Sequence, residues 1–277
     1  MAELLKGLPA AKALTESLRQ ESDALRARGV TPTLAIVRVG ERDDDLAYER
    51  GARKRCEQCG IAVRQIALSA DVSRETLLTE LAALNADAGV HGVLPLRPLP
   101  FDAAACAAIA PEKDVDGVTG ASMAALYAGV GTGFAPCTAE ACIALLKHYN
   151  IPLAGKRAVV VGRSLVIGKP VAMLLLRENA TVTVAHSKTG SLSGVCRTAD
   201  ILIVAAGRAG LIGAEHVRAG QTVVDVGIHA APDGSLCGDA RFAEVEPIVE
   251  AVTPVPGGVG PLTTAILCKH VIEAASR

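Results

Sequence analysis

Residues Ala158 to Pro170, AVVVGRSLVIGKP, place four apolar positions, three of them β-branched, directly before a glycine-bounded turn. An unbroken apolar run of this kind predicts a strand buried on both faces of a parallel sheet. Gly162 permits a tight turn, and Gly168 lets the next helix pack close to the strand. A strand, turn and helix so arranged aim backbone N–H groups at one point, which suits a phosphate. The spacing G-x-S-x-x-x-G-x-P departs from the common G-x-G-x-x-G, so an ordinary βα turn is the competing interpretation of this segment alone.

The alternation extends along the chain. A helix is predicted over about residues 8–28, followed by TPTLAIVRVG as a strand ending at Gly40. LAYERGARKRCEQCG predicts a helix closed by Gly60, and a short strand begins near Ile61. SRETLLTELAALNAD predicts another helix, with Ser73 as N-cap and Thr76 and Glu80 behind it. VHGVLPL is a strand meeting the proline-rich RPLP, and the chain after PEKDVDG looks loose to about Phe134. TAEACIALLKHYN is a helix expected to link two halves, after which AVVVG, TVTVAH, ILIVAAG and TVVDVG alternate with helical stretches. This order predicts an α/β fold in two domains, each a parallel-rich sheet flanked by helices, with a Rossmann-like C-terminal domain.

The second strand of the C-terminal half runs into His186, Ser187, Lys188 and Thr189. An NAD-selective site places an acid about two dozen residues past the first glycine, on the ribose hydroxyls. None stands here. A cation with hydroxyls, and Arg163 in the turn, fits a 2′-phosphate and favours NADP over NAD. A solvated loop is the alternative for His186 and Lys188 taken singly.

Aromatic residues are 2% of the chain and Trp is absent, so a core drawn from its 50% hydrophobic content must be aliphatic. With 28 basic against 29 acidic residues, the charge balance argues against a nucleic-acid or anionic-membrane partner. No apolar run reaches the ~18–20 residues of a membrane span. The opening MAELLKGLPAAKALTESLRQ reads as an amphipathic helix containing acids rather than a signal peptide, so a cytoplasmic protein is expected. Eight cysteines are scattered, with only Cys56 and Cys59 close together. One CxxC without a second pair or a nearby His is a weak zinc motif, so these are expected to be structural free thiols, with no metal site.

TPVPGGVGPLT, Thr253 to Thr263, sets three prolines among glycines just before a last helix, TAILCKHVIEAA. Prolines fix the backbone while glycines allow another group to approach, as a rigid binding loop requires. A linker between domains is the plainer alternative.

With these motifs in order, the chain resembles the methylenetetrahydrofolate dehydrogenase/cyclohydrolase family. The resemblance rests on YNIPLAGKRAVVVGRSLVIGKPVAMLL, HSKT, ADILIVAAGRAGLI, VVDVGI, Gly238–Asp239 and TPVPGGVGPLT. In the N-terminal half it continues through LAIVRVG, Tyr48, PEKDVDG and PCT at 136–138. It implies a folate-binding catalytic domain of residues 1–138 plus 255–277 and an NAD(P)-binding domain of residues 139–254, in a homodimer. It also implies hydride transfer from 5,10-methylenetetrahydrofolate, the one-carbon carrier, to NADP⁺, and in many members hydrolysis of the resulting methenyl cation. Tyr48, Asp116, Pro256, Gly257 and Gly258 are implied on the folate, with Tyr48 and Asp116 counted as catalytic. Gly162, Arg163, Ser164, Gly168, His186, Ser187, Lys188 and Ile228 are implied on the cofactor.

Two departures matter. The family's catalytic lysine stands four residues after the tyrosine, where this chain has Ala52, and the glutamine supporting that lysine is replaced by Leu96. Lys54 lies on a different helical face, and the guanidinium of Arg53 or Arg55 is a poor base. Losing both partners is coherent, because a buried glutamine without its lysine would be left unsatisfied. The expectation is a dehydrogenase with weak or absent cyclohydrolase activity, Arg97 being the first candidate for a compensating charge. A bifunctional enzyme using another proton-transfer group, or a non-catalytic folate- or NADP-binding relative, are the alternatives. Two milder departures are Ala139, where the family has proline, and Asp45, in an acidic run expected to face solvent.

Overall fold

The computed structural model describes residues 1–231 and 233–277. The chain forms two compact units, one of residues 1–11 and 138–263, the other of residues 12–137 and 264–277.

The smaller sheet belongs to the second of these. After β1 (Glu3–Leu4) and α1 (Gly7–Ala27) come β2 (Thr33–Val39), α2 (Asp43–Cys59), β3 (Ala62–Leu68), α3 (Arg74–Ala86) and β4 (Gly92–Pro95). Three parallel strands stand in the order β3-β2-β4. The central strand alternates as a strand must: Ala35 and Val37 pack with Leu77, Leu81 and Leu84 of α3 on one face. The Ser73 hydroxyl accepts the Thr76 N–H at 3.1 Å, as its position before the helix predicts. Gly60 closes α2 with a left-handed φ of 73°. That helix starts at Asp43, ahead of the predicted Leu46, because three aspartates in its first turn suit the positive end of the helix dipole.

The stretch expected to be loose contains α4 (Asp102–Ala108) and α5 (Gly120–Ala128). Small residues give α5 no apolar stripe, but the Thr119 hydroxyl accepts the Ser122 N–H at 3.0 Å and Gly129 closes it at φ 73°.

The other unit carries the larger sheet. It is built from α6 (Cys137–His148), β5 (Arg157–Val161), α7 (Gly168–Arg177), β6 (Thr181–Ala185), α8 (Leu192–Arg197), β7 (Ile201–Val204) and β8 (Thr222–Asp225). A two-stranded ribbon, β9 (His229–Ala230) and β10 (Leu236–Cys237), then α9 (Phe242–Val245), β11 (Ala251–Val252) and α10 (Gly260–Ala275) complete the chain. The sheet order is β1-β11-β8-β7-β5-β6, all pairs parallel. β6 lies on one side of β5 and β7 on the other, so the winding reverses at β5. Ligands of such sheets bind outside the strand ends at that reversal, where Gly162 stands.

The unit boundaries differ from those expected, residues 1–11 and 255–263 clustering with this sheet. The cause is hydrogen bonding: Leu5 N–H donates to Val252 O at 2.9 Å and Gly7 N–H to Gly257 O at 2.8 Å. Among the described residues no helix is long and apolar enough to cross a membrane.

Candidate functional site

In the larger-sheet unit, the turn after β5 is tightly constrained and leaves backbone donors open. Gly162 takes φ 132°, and a Cβ there would overlap the carbonyl oxygen of Ala205. A Cβ on Gly168 would strike the backbone of Gly162, so both positions require glycine. The Ser164 hydroxyl accepts the N–H groups of Ile167 at 3.1 Å and Gly168 at 3.3 Å, and so holds the start of α7. Among the described residues, the N–H groups of Arg163, Ser164, Leu165 and Val166 have no protein acceptor. A run of open donors at a helix start fits the phosphates of a dinucleotide.

The turn after β6 is ordered. His186 N–H donates to the Thr189 hydroxyl at 2.9 Å, and Lys188 N–H donates to His186 Nδ1 at 3.1 Å. Ser187 and Lys188 are exposed. Leu165, Val166 and Ile228 are among the exposed large apolar residues of this unit, at 54%, 51% and 64% exposure. Only Ile228 was expected. Exposed aliphatics beside a polar turn were the available signal for the other two.

Two buried aspartates hold the neighbouring loops. Asp239 accepts the N–H groups of Ala206 at 2.6 Å, Gly207 at 2.9 Å and Arg208 at 2.8 Å, and meets His229 Nε2 at 2.7 Å. Asp225 accepts from Gly227, Asp239 and Ala240, although burial raises its carboxyl to about 6. In the proline loop Pro256 is exposed, Gly257 takes φ 104°, and a Cβ on buried Gly258 would meet the Pro254 carbonyl oxygen at 2.7 Å.

In the smaller-sheet unit the 114–122 segment is over-determined. Asp114 accepts the N–H groups of Val118 at 3.0 Å and Thr119 at 2.8 Å and the Ser122 hydroxyl at 2.6 Å. The Val115 carbonyl receives His270 Nδ1 at 2.8 Å and the Cys137 thiol at 3.3 Å. Gly117 takes φ 67° against the Ala135–Pro136 backbone, so PEKDVDG and PCT form one packed corner. These contacts fix the backbone on both sides of Asp116. Its carboxyl is raised to about 6 by burial, with the Cys137 hydrogen bond pulling the other way and the Asp114 charge adding to the rise. Tyr48 keeps 37% of its surface exposed; its phenol is pushed up by partial desolvation first and by the Asp116 charge second, which sets the two in one electrostatic neighbourhood. His270 and Cys137 were not anticipated. Each is buried in a helix, and a core role is the ordinary reading of such residues.

Ala52 is fully buried and Leu96 is 4% exposed. One turn beyond Ala52, Cys56 lies 3.9 Å from Cys268, sulfur to sulfur, within a buried thiol cluster that includes Cys59. Arg97 is held by Asp102, with Nε at 3.0 Å and Nη2 at 2.6 Å from its carboxylate, a pair the sequence did not suggest. Lys54 and Arg53 line a cavity whose walls include neither Tyr48 nor Ala52. The acidic run does not face solvent throughout: Asp43 and Asp44 do, but Asp45 is buried at 6% exposure, 3.6 Å from Arg42. The helix periodicity accounts for this, because Asp45 shares the inward stripe of Glu49, Ala52 and Cys56. Glu49 itself forms a buried ion pair with Arg38 at 3.0 Å.

Family models decide the assignment. The tetrahydrofolate dehydrogenase/cyclohydrolase catalytic domain matches residues 5–116, and its NAD(P)-binding domain matches residues 136–277. The chain belongs to the tetrahydrofolate dehydrogenase/cyclohydrolase family. It is 50% identical to the bifunctional protein FolD of Carboxydothermus hydrogenoformans, over 99% of this chain and 97% of that protein. The bifunctional FolD structure from Campylobacter jejuni superposes with a TM-score of 0.96 at 38% identity, covering 100% of this chain and 99% of that one. The Trypanosoma brucei FolD, solved with NADP and an inhibitor, gives 0.91 at 36% identity over 100% and 98%. As a member of the tetrahydrofolate dehydrogenase/cyclohydrolase family the chain is an enzyme of one-carbon metabolism, and the turn after β5 lies within its NAD(P)-binding domain.

Proposed function

We propose that this protein is an NADP-dependent 5,10-methylenetetrahydrofolate dehydrogenase whose cyclohydrolase step is weak or absent. The observation that carries the second half is the buried apolar pair Ala52 and Leu96 at the positions of the family's lysine and glutamine. Among the described residues, the groups around them are engaged elsewhere: Lys54 and Arg53 line another cavity, Arg97 is held by Asp102, and Glu49, on the same stripe as Ala52, is paired with Arg38. Hydrolysis needs an activated water and a positioned proton carrier, and an alanine–leucine pair supplies neither.

Hydride transfer asks less of the protein. The folate nitrogen lone pair drives departure of the hydride, so the protein need only bind, orient and exclude water. Asp116 accepts the N–H donors of the pterin edge, Tyr48 orients the ring, and the backbone at Gly257 and Gly258 permits close approach. NADP⁺ supplies the hydride acceptor, its phosphates taken by the open donors of residues 163–166 and its 2′-phosphate by Lys188 and Arg163. The working unit is a homodimer, for which light scattering should give twice the chain mass.

Two experiments test the assignment. Ala52→Lys with Leu96→Gln rebuilds the proton-transfer pair, and methenyltetrahydrofolate loss should rise about tenfold above the parent protein's rate. A variant that folds, keeps dehydrogenase activity and gains no hydrolysis would show that more than this pair is missing. Lys188→Ala should raise KM for NADP⁺ about tenfold while leaving KM for NAD⁺ within about twofold, the loss of one charge-assisted contact. Equal effects on both cofactors would remove Lys188 from the 2′-phosphate.

A further inference from the structure

We infer that a second, non-catalytic site on the smaller-sheet unit binds a small multivalent anion in the cavity between α1 and α2. The cavity holds about 600 Å³, within the range of small-molecule pockets. Arg19 and Arg26 of α1 form one bank. Arg50, Arg53 and Lys54 of α2 form the other, with Glu57 beside them. Arg50, Arg53, Lys54 and Glu57 follow the i, i+3, i+4, i+7 spacing of one helical face, and Arg19 and Arg26 are also seven apart. Each bank therefore presents its charges in a row.

The charge is not a compositional accident, since the whole chain carries −1. Arg19 pairs with Asp23 at 3.1 Å. Among the described residues, Arg26, Arg50, Arg53 and Lys54 have no acidic partner within 4.0 Å, so the lining keeps a clear positive excess after Glu57 and Asp23 are counted. Like charges gathered in a concavity repel one another and concentrate counter-ions, a cost that a bound polyanion removes. The end wall is rigid: the Ser22 hydroxyl donates to the Gly60 carbonyl at 3.0 Å, fastening α1 to the close of α2.

The lining also defines the ligand. Four of the five cations are arginines, whose planar forks match phosphate or carboxylate oxygens in pairs. No aromatic residue lines the cavity, so nothing stacks on a base and the site reads charge. Tyr48, Ala52 and Asp116 are outside the lining, so this site is separate from the proposed dehydrogenase chemistry.

The test is calorimetry with tripolyphosphate on the full chain, with the cofactor turn saturated by NADP⁺. One saturable site per chain is expected, weakening on the order of tenfold between low and physiological salt. Citrate in place of tripolyphosphate separates a general polyanion site, which binds both, from one selecting phosphate. ATP should bind no more tightly than tripolyphosphate. Arg53→Glu with Lys54→Glu should abolish binding while dehydrogenase activity stays unchanged, which also shows that the variant folds. Absence of saturable binding, or binding that survives the double reversal, would overturn the inference.

Discussion

Asp116→Ala is expected to lower kcat/KM for 5,10-methylenetetrahydrofolate about hundredfold, roughly 3 kcal/mol, without changing NADP⁺ affinity. The loss is large if Asp116 is the pterin acceptor proposed above, because it stands in a segment held on both sides. Asp114 fixes the loop through three hydrogen bonds, and His270 and Cys137 fix the Val115 carbonyl next to it. The pH dependence follows from the raised carboxyl. With its pKa at about 6, Asp116 is ionised above that pH and protonated below it. Only the carboxylate accepts from donors on the pterin edge with both oxygens. Thus kcat/KM, which reports the free enzyme, should fall as pH drops through about 6. Asp116→Asn should remove that acidic limb and leave a low, flat profile. An unchanged limb in Asp116→Asn would mean that another group titrates there.

Gly162→Ala is expected to destabilise the larger-sheet unit by about 3 kcal/mol or more, with NADP⁺ binding lost alongside. The methyl group meets backbone rather than a side chain. At φ 132° it would overlap the Ala205 carbonyl oxygen, which belongs to the neighbouring strand's exit. No rotamer relieves such an overlap, so β5 or the 205–206 segment must move. Thermal unfolding of parent and variant, with and without NADP⁺, separates the two effects. A variant of parental Tm that merely fails to bind would show that the turn adapts and that only cofactor approach needs glycine.

The parts of the fold legible in the sequence were those under repetitive constraint. Fully buried parallel strands must be apolar throughout, so AVVV and ILIV declared themselves, and Gly162 and Gly168 marked the turn between sheet and helix. Ser73 and Gly60 announced helix ends because capping is local chemistry. Short elements escaped for the opposite reason. α5 is mostly small residues and begins at the Thr119 cap, while β1 and β11 are two-residue strands whose pairing joins opposite ends of the chain. The unit boundary moved with that pairing.

The same division holds for the site. Tyr48, Asp116 and the glycines stand in dense motifs, and the absences at 52 and 96 are visible only against a family pattern. The groups that hold the backbone around Asp116 are spread over Asp114, Cys137 and His270, and no local pattern links residues so distant along the chain. The inward turn of Asp45 and the Arg38–Glu49 pair depend on which helical face meets the sheet. An acidic run does not reveal this until the helix start is known.

The most direct measurement follows the two half-reactions separately on the purified parent protein. NADPH formation from 5,10-methylenetetrahydrofolate is read in one, and loss of methenyltetrahydrofolate absorbance against the buffer rate in the other. Steady reduction of NADP⁺ with hydrolysis at the buffer rate is the predicted result, and fits a buried Ala52–Leu96 pair that moves no proton. Enzyme-dependent hydrolysis of the methenyl compound would contradict it and turn attention to the buried carboxylate of Glu49 and to Arg97.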